Sequence, residues 1–143
     1  MPYTTHWLHC VWRTKENSII LSHDHRPEIL VHFREYAKSK DIGLDYINLH
    51  KDHVHALIIL GKKQSISKVM QLLKGESAYW INKQKYLHVH FSWQDDYYTV
   101  PVSPSHVEQV RKYIANQDEH HKKMTWDEEV NIITEKWGLK SED

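Results

Sequence analysis

The chain predicts an α+β fold in a single domain, and three observations carry that reading. Short β-branched apolar runs, closed by turn residues, alternate with longer stretches whose apolar residues recur every three to four positions. No linker, repeat or low-complexity tract interrupts the 143 residues. That length, with 40% hydrophobic residues, is enough to bury one core.

The elements follow in order. Trp7 to Trp12 reads as a first strand, with Arg13 to Asn17 turning away from it. Pro27 to Lys40 reads as a helix: Pro27 suits a first helical turn, and Ile29, Leu30, Phe33, Tyr36 and Ala37 recur at helical spacing. Asp41-Ile42-Gly43 ends it. Leu44 to His50 is a second strand, with Leu44, Tyr46 and Asn48 alternating against Asp45, Ile47 and Leu49. Lys51-Asp52 is a tight connection into a third, His53 to Leu60, so these two strands form a hairpin.

Ser65 is an N-cap candidate for a second helix. Ile66, Val69, Met70, Leu72, Leu73, Tyr79 and Trp80 are its apolar residues, and it runs to about Asn82 across Gly75. A last strand lies between His90 and Val102, at Phe91-Ser92-Trp93, at Tyr97 to Val100, or both. The final long helix opens either with Ser103 as cap and Pro104 in the first turn, or with a Ser105–Glu108 capping box. It runs to about Lys123, and Trp126 to Trp137 offers one more small helix. The first six elements match the ferredoxin-like βαββαβ arrangement of an antiparallel sheet. In that topology the first strand and the His53 strand are central neighbours.

The centre of the pattern is His53-Val54-His55. Strand side chains alternate faces, so His53, His55, Leu57 and Ile59 share one face. Two imidazoles side by side can hold a metal, although a pair is an incomplete site and 13 histidines make a chance His-x-His unremarkable. The final helix offers further groups. Val107, Val110 and Ile114 form an apolar stripe, and Tyr113 and Gln117 lie one turn apart on its shoulder. The amide oxygen of Gln117 can coordinate a metal. The phenol of Tyr113 can attack a phosphodiester and conserve its bond energy as a covalent phosphotyrosine. Taken singly, each is also an ordinary helix-surface residue.

Charge and composition exclude several classes. Lys plus Arg equals Asp plus Glu, so the chain is not a broadly basic binder. The balance is uneven, however: Lys62, Lys63, Lys68, Lys74, Lys83 and Lys85 face only Glu76 in their segment, and acids dominate the C-terminal tail. Such a basic patch can bind phosphates. Cys10, the single cysteine, excludes an internal disulfide framework and a Cys-rich zinc site, and reads as a small core residue. No secretory signal or membrane-length apolar run is visible, so a soluble cytoplasmic protein is expected.

Lys51 to His55, with Ser65 to Gly75 after it, resembles the small single-tyrosine HUH transposases of bacterial and archaeal insertion sequences. HUH denotes His, a hydrophobic residue, His. Val107 to Gln117 is similar to that family's nucleophile helix. Phe91 to Gln94 and Ser103-Pro104-Ser105 are similar to the branch of REP-associated tyrosine transposases. The likeness runs from the first strand to about His121, which implies one domain over 1–143 with a core of about 3–123 and a tail of 124–143.

The resemblance implies a ferredoxin-like sheet with an added C-terminal helix bearing the nucleophile. His53, His55 and Gln117 would be the metal ligands, Tyr113 the nucleophile, and Mg²⁺ or Mn²⁺ the ion. No nucleotide cofactor is implied. The activity would be that of an endonuclease and strand transferase on single-stranded DNA near hairpins, through a 5′-phosphotyrosine. The implied assembly is a homodimer, often with the tyrosine serving the partner's His pair. Lys62, Lys63, Lys68 and Lys74 are the DNA-contacting candidates by charge. Asp95-Asp96-Tyr97-Tyr98 departs from the glycine-containing turn of many relatives, which leaves Tyr97 or Tyr98 as rival phenols. Two alternatives stand beside the enzyme: a catalytically silent or domesticated hairpin-DNA-binding protein of the same fold, and a ferredoxin-like metal-binding module without a nucleic-acid role.

Overall fold

The computed structural model describes residues 6–15, 21–116, 128, 130 and 131. Its elements are β1 (His6–Arg13), α1 (Arg26–Ser39), β2 (Gly43–Leu49), β3 (His53–Leu60), α2 (Ile66–Gln84), β4 (Tyr98–Val102), a 3-10 turn over Pro104–His106, and α3 (Val107–Ala115). The four strands form one sheet in the order β2-β3-β1-β4, with every pairing antiparallel. The two most apolar strands therefore take the centre, as the βαββαβ pattern requires.

Alternation divides the sheet into two faces. Cys10 and Trp12 of β1 and Val54, Ala56 and Ile58 of β3 join Ile29, Phe33, Val69, Met70, Leu73 and Ile81 in the main core, so α1 and α2 cover this face. Leu57 and Val102 meet Val107, Val110 and Ile114 of α3 on the other face. Cys10 is buried and reduced, as expected of a small core residue.

Ser65 caps α2, accepting a hydrogen bond from the Lys68 N–H at 3.1 Å. Helix α1 closes through Asp41 in the left-handed region (φ 55°). Gly43 then permits close approach to β3, since a Cβ there would stand 2.8 Å from the Ile59 carbonyl oxygen.

Several details differ from the sequence expectation. The alternation of β2 breaks between Leu44 and Tyr46, where the register shifts. Leu44 thereby joins Ile47 and Leu49 over the helices, and Tyr46 and Asn48 face α3. Within α2 the residues turned inward are Val69, Met70, Leu73, Ser77 and Ile81, whereas Tyr79 is exposed. The last strand is Tyr98–Val102. Trp93 makes only an isolated bridge to Thr14 and sinks into the core, where its indole N–H donates to Ser77 Oγ at 2.9 Å. Ser103 takes the N-cap position, with Pro104 in the first turn, of the 3-10 turn that leads into α3, but without a side-chain capping bond, and the expected Ser105–Glu108 box does not form because His106 is the N-cap of α3 itself. Ser103 Oγ lies 2.7 Å from His106 Nδ1, which engages the hydroxyl, and the chain enters α3 through the 3-10 turn. The expected extension of that helix to Lys123 and most of the Trp126–Trp137 segment lie outside the described residues.

Candidate active site

The His pair sits where β3 begins, on the face covered by α3. His53 and His55 are both buried, with ring centroids 5.1 Å apart. Each is oriented through its Nδ1. The Asp52 carboxylate lies 2.7 Å from His53 Nδ1. That hydrogen bond, ahead of the opposing effect of burial, holds the Asp52 carboxyl below its ordinary range. His9 of β1 brings its Nε2 to 2.9 Å from His55 Nδ1. With both Nδ1 atoms so engaged, each ring turns its Nε2 away from those partners. A carboxylate or imidazole behind a metal-binding histidine does this by fixing ring orientation and tautomer. The donor set therefore fits a divalent ion held by two imidazoles. Among the described residues, no group of three or more His, Cys, Asp or Glu side chains is arranged to hold a metal. Gln117, the expected third ligand, lies outside the described residues.

Tyr113 stands beside this pair in the same chain. Its ring centroid is 6.0 Å from that of His55 and 6.1 Å from that of His9, both edge-on. It is buried against Val11 and Val100, with Tyr98 packed alongside. Helix α3 has nine residues, too few to persist alone. The sheet must hold it, and two polar anchors supplement the apolar stripe. The Arg111 guanidinium reaches both Asp45 carboxylate oxygens, at 2.7 and 2.8 Å, and also pairs with Glu108. Asp45 sits at the register shift of β2, and its bond with Arg111 raises the guanidinium pKa further. The Asn48 amide donates to the Ile114 carbonyl at 2.8 Å. Asn48 is opposite His55 in the β2–β3 ladder, so this bond ties the end of α3 to the strand that carries the imidazoles.

The lysines do not gather at this site. Lys62 and Lys63 follow the far end of β3, about 25 Å along the strand from His53 at ~3.3 Å per residue. Lys68 opens α2, on the opposite face of the sheet. These three are exposed. Lys74 differs: its ammonium donates to the carbonyls of Gln94, Asp95 and Asp96 at 2.6, 3.0 and 3.3 Å, and burial lowers its pKa. It shapes the 94–96 turn and lies 5.6 Å from the Tyr97 ring. Of the rival phenols, Tyr97 packs against the helix-side core and Tyr98 lies beside Tyr113.

Three residues near the pair carried no site reading in the sequence: His9, Asp52 and Arg13. Arg13 is directly opposite His53 in the β1–β3 ladder, so both side chains leave the sheet on one face. The alternation Trp7, His9, Val11, Arg13 held the signal, but only the register made it usable.

The family described as "Transposase IS200 like" matches residues 2–117. No curated protein matches the chain. Among solved structures, one from Deinococcus radiodurans R1, described as a candidate transposase, is 23% identical with a TM-score of 0.66. The alignment covers 81% of this chain and 93% of that one. Another, a REP-associated tyrosine transposase bound to a REP hairpin, is 10% identical with a TM-score of 0.64, over 87% of this chain and 73% of that one. At these identities the two structures share its fold. Among the described residues no helix is long and apolar enough to cross a membrane.

Proposed function

The chain belongs to the family of IS200-like transposases, and from that premise we propose that it cleaves and rejoins single-stranded DNA at hairpin-bearing ends, with Tyr113 as nucleophile. The observation that carries this reading is the Tyr113 ring 6.0 Å from that of His55 on a helix anchored to the same sheet. His53 and His55 through Nε2, with Gln117 as third ligand, would hold Mg²⁺ or Mn²⁺, which supplies Lewis-acid polarisation of the scissile phosphate when bound.

The residues of the chain do the rest. The Tyr113 phenol oxygen forms a bond to phosphorus as the bond from phosphorus to the 3′ oxygen breaks. The phenol proton is accounted for on the departing 3′-hydroxyl. The product is a 5′-phosphotyrosine, and attack by another 3′-hydroxyl reverses the exchange and restores the phenol. One phosphate ester replaces another at each step, so no nucleotide cofactor is consumed. Asp52 and His9 hold the two imidazoles, and Arg13, on the same face, offers a cation to a phosphate. Hairpin DNA as substrate agrees with the bound ligand of the second structural neighbour. The exposed Lys62, Lys63 and Lys68 would meet DNA remote from the bond that is cut.

The test is a covalent adduct. Protein, Mg²⁺ and a hairpin-bearing single-stranded oligonucleotide should give an SDS-resistant protein–DNA band. Tyr113→Phe should abolish it, and His53→Ala or His55→Ala should reduce it steeply. A band that survives Tyr113→Phe would move the nucleophile to Tyr98 or Tyr97. Hairpin binding without any band would make the protein a silent member of the family.

A further inference from the structure

His9 lies at the centre of the sheet and is fully buried, with Val11, Leu57, Val100 and Tyr113 nearby on the same face. An apolar side chain would be cheaper there, because burying an imidazole costs free energy unless its polar atoms are bonded. What the imidazole provides is contact with His55. In the β1–β3 ladder His9 is opposite Leu57 and Val11 is opposite His55, so His9 is the diagonal neighbour of His55. Its Nε2 reaches His55 Nδ1 at 2.9 Å, with the ring centroids 5.2 Å apart and the planes tilted by 42°. Asp52 makes the equivalent contact behind His53 at 2.7 Å.

We propose that His9 is a positioning residue: it holds the His55 ring so that Nε2 faces the ion, as Asp52 does for His53. The inference rests on the proposed metal role of His53 and His55. When His55 Nε2 offers its lone pair to an ion, its Nδ1 carries the hydrogen and His9 Nε2 must accept it. An apolar side chain at position 9 cannot accept. A glutamine can, through its amide oxygen.

Binding of Mn²⁺ alone tests this, by calorimetry and by the nitrogen couplings in the electron spin resonance of the bound ion. The proteins are wild type, His9→Leu, His9→Gln and His55→Ala, each checked for an intact fold by its thermal melt. His9→Leu should weaken Mn²⁺ about 10- to 100-fold, and His9→Gln should recover most of that loss. Affinity for a hairpin oligonucleotide in EDTA should stay the same in both His9 variants. Wild-type Mn²⁺ affinity in His9→Leu would overturn the proposal and leave the His53–His55 reading standing. An equal loss in Leu and Gln variants would also overturn it, as would three coupled imidazoles, which would make His9 a ligand. If wild type and His55→Ala bound Mn²⁺ alike, the metal reading would fall and this proposal with it.

Discussion

Val110→Ala tests whether docking of α3 sets the position of Tyr113. Val110 is fully buried between α3 and the sheet, where it packs with Leu57, Val102, Val107 and Ile114. The change removes two carbons at about 0.8 kcal/mol each and leaves a cavity that a sheet face cannot easily close. The loss is about 2–3 kcal/mol, or roughly 30- to 160-fold in an equilibrium constant. Because nine residues do not hold a helix alone, the loss should fall first on local detachment of α3. Hydrogen exchange should then speed up by about that factor at the α3 amides, with little change in β1 and β3. Adduct formation with the hairpin oligonucleotide should fall in parallel. Unchanged α3 exchange would refute the packing argument. Lost α3 protection with undiminished adduct would refute the idea that docking in this position presents the tyrosine.

Other outcomes follow from the same geometry. The Asp52 carboxyl is held below its ordinary range, so its stabilising effect is complete above the usual value of about 3.9 and fades as pH falls through the lowered one. Asp52→Asn should therefore melt below wild type at neutral pH, with the gap closing in acid; a gap that widened in acid would contradict the sign. Replacing Lys62, Lys63 and Lys68 together by Ala should weaken hairpin binding and flatten its log–log salt dependence by about 2–3, at 0.7–0.9 per phosphate contact. Lys74→Met should instead lower the melting temperature, because that ammonium holds three carbonyls; a pure loss of DNA affinity would show otherwise. Mixing Tyr113→Phe with His55→Ala protein should not restore the adduct if each tyrosine serves its own His pair, and recovery would show exchange between subunits.

His53 and His55 were readable in the sequence because strand alternation is a local property: it puts both on one face in any packing. Val107, Val110 and Ile114 were readable for the same reason, at ~100° per residue. Tyr79 shows the limit of residue type. It is aromatic, yet about 240° round the helix from Leu73, so phase leaves it in solvent and brings Ile81 inward. Lys74 shows the limit of charge, since a cation counted toward a DNA surface is engaged by a turn of its own chain.

By itself the sequence determined the order of the elements, the central place of the His53 strand, the face its imidazoles share and the side of the last helix that packs inward. All of these depend on periodicity and on neighbours a few residues apart. Tertiary structure alone decided that His9 stands behind His55, that the β2 register shift sets Asp45 against Arg111, and that Tyr113 comes to rest beside the pair in its own chain. These depend on register between strands and on contacts 46 and 66 residues apart. A one-residue slip would turn each strand's side chains to the opposite face, and no local pattern along the chain encodes which pairing is chosen.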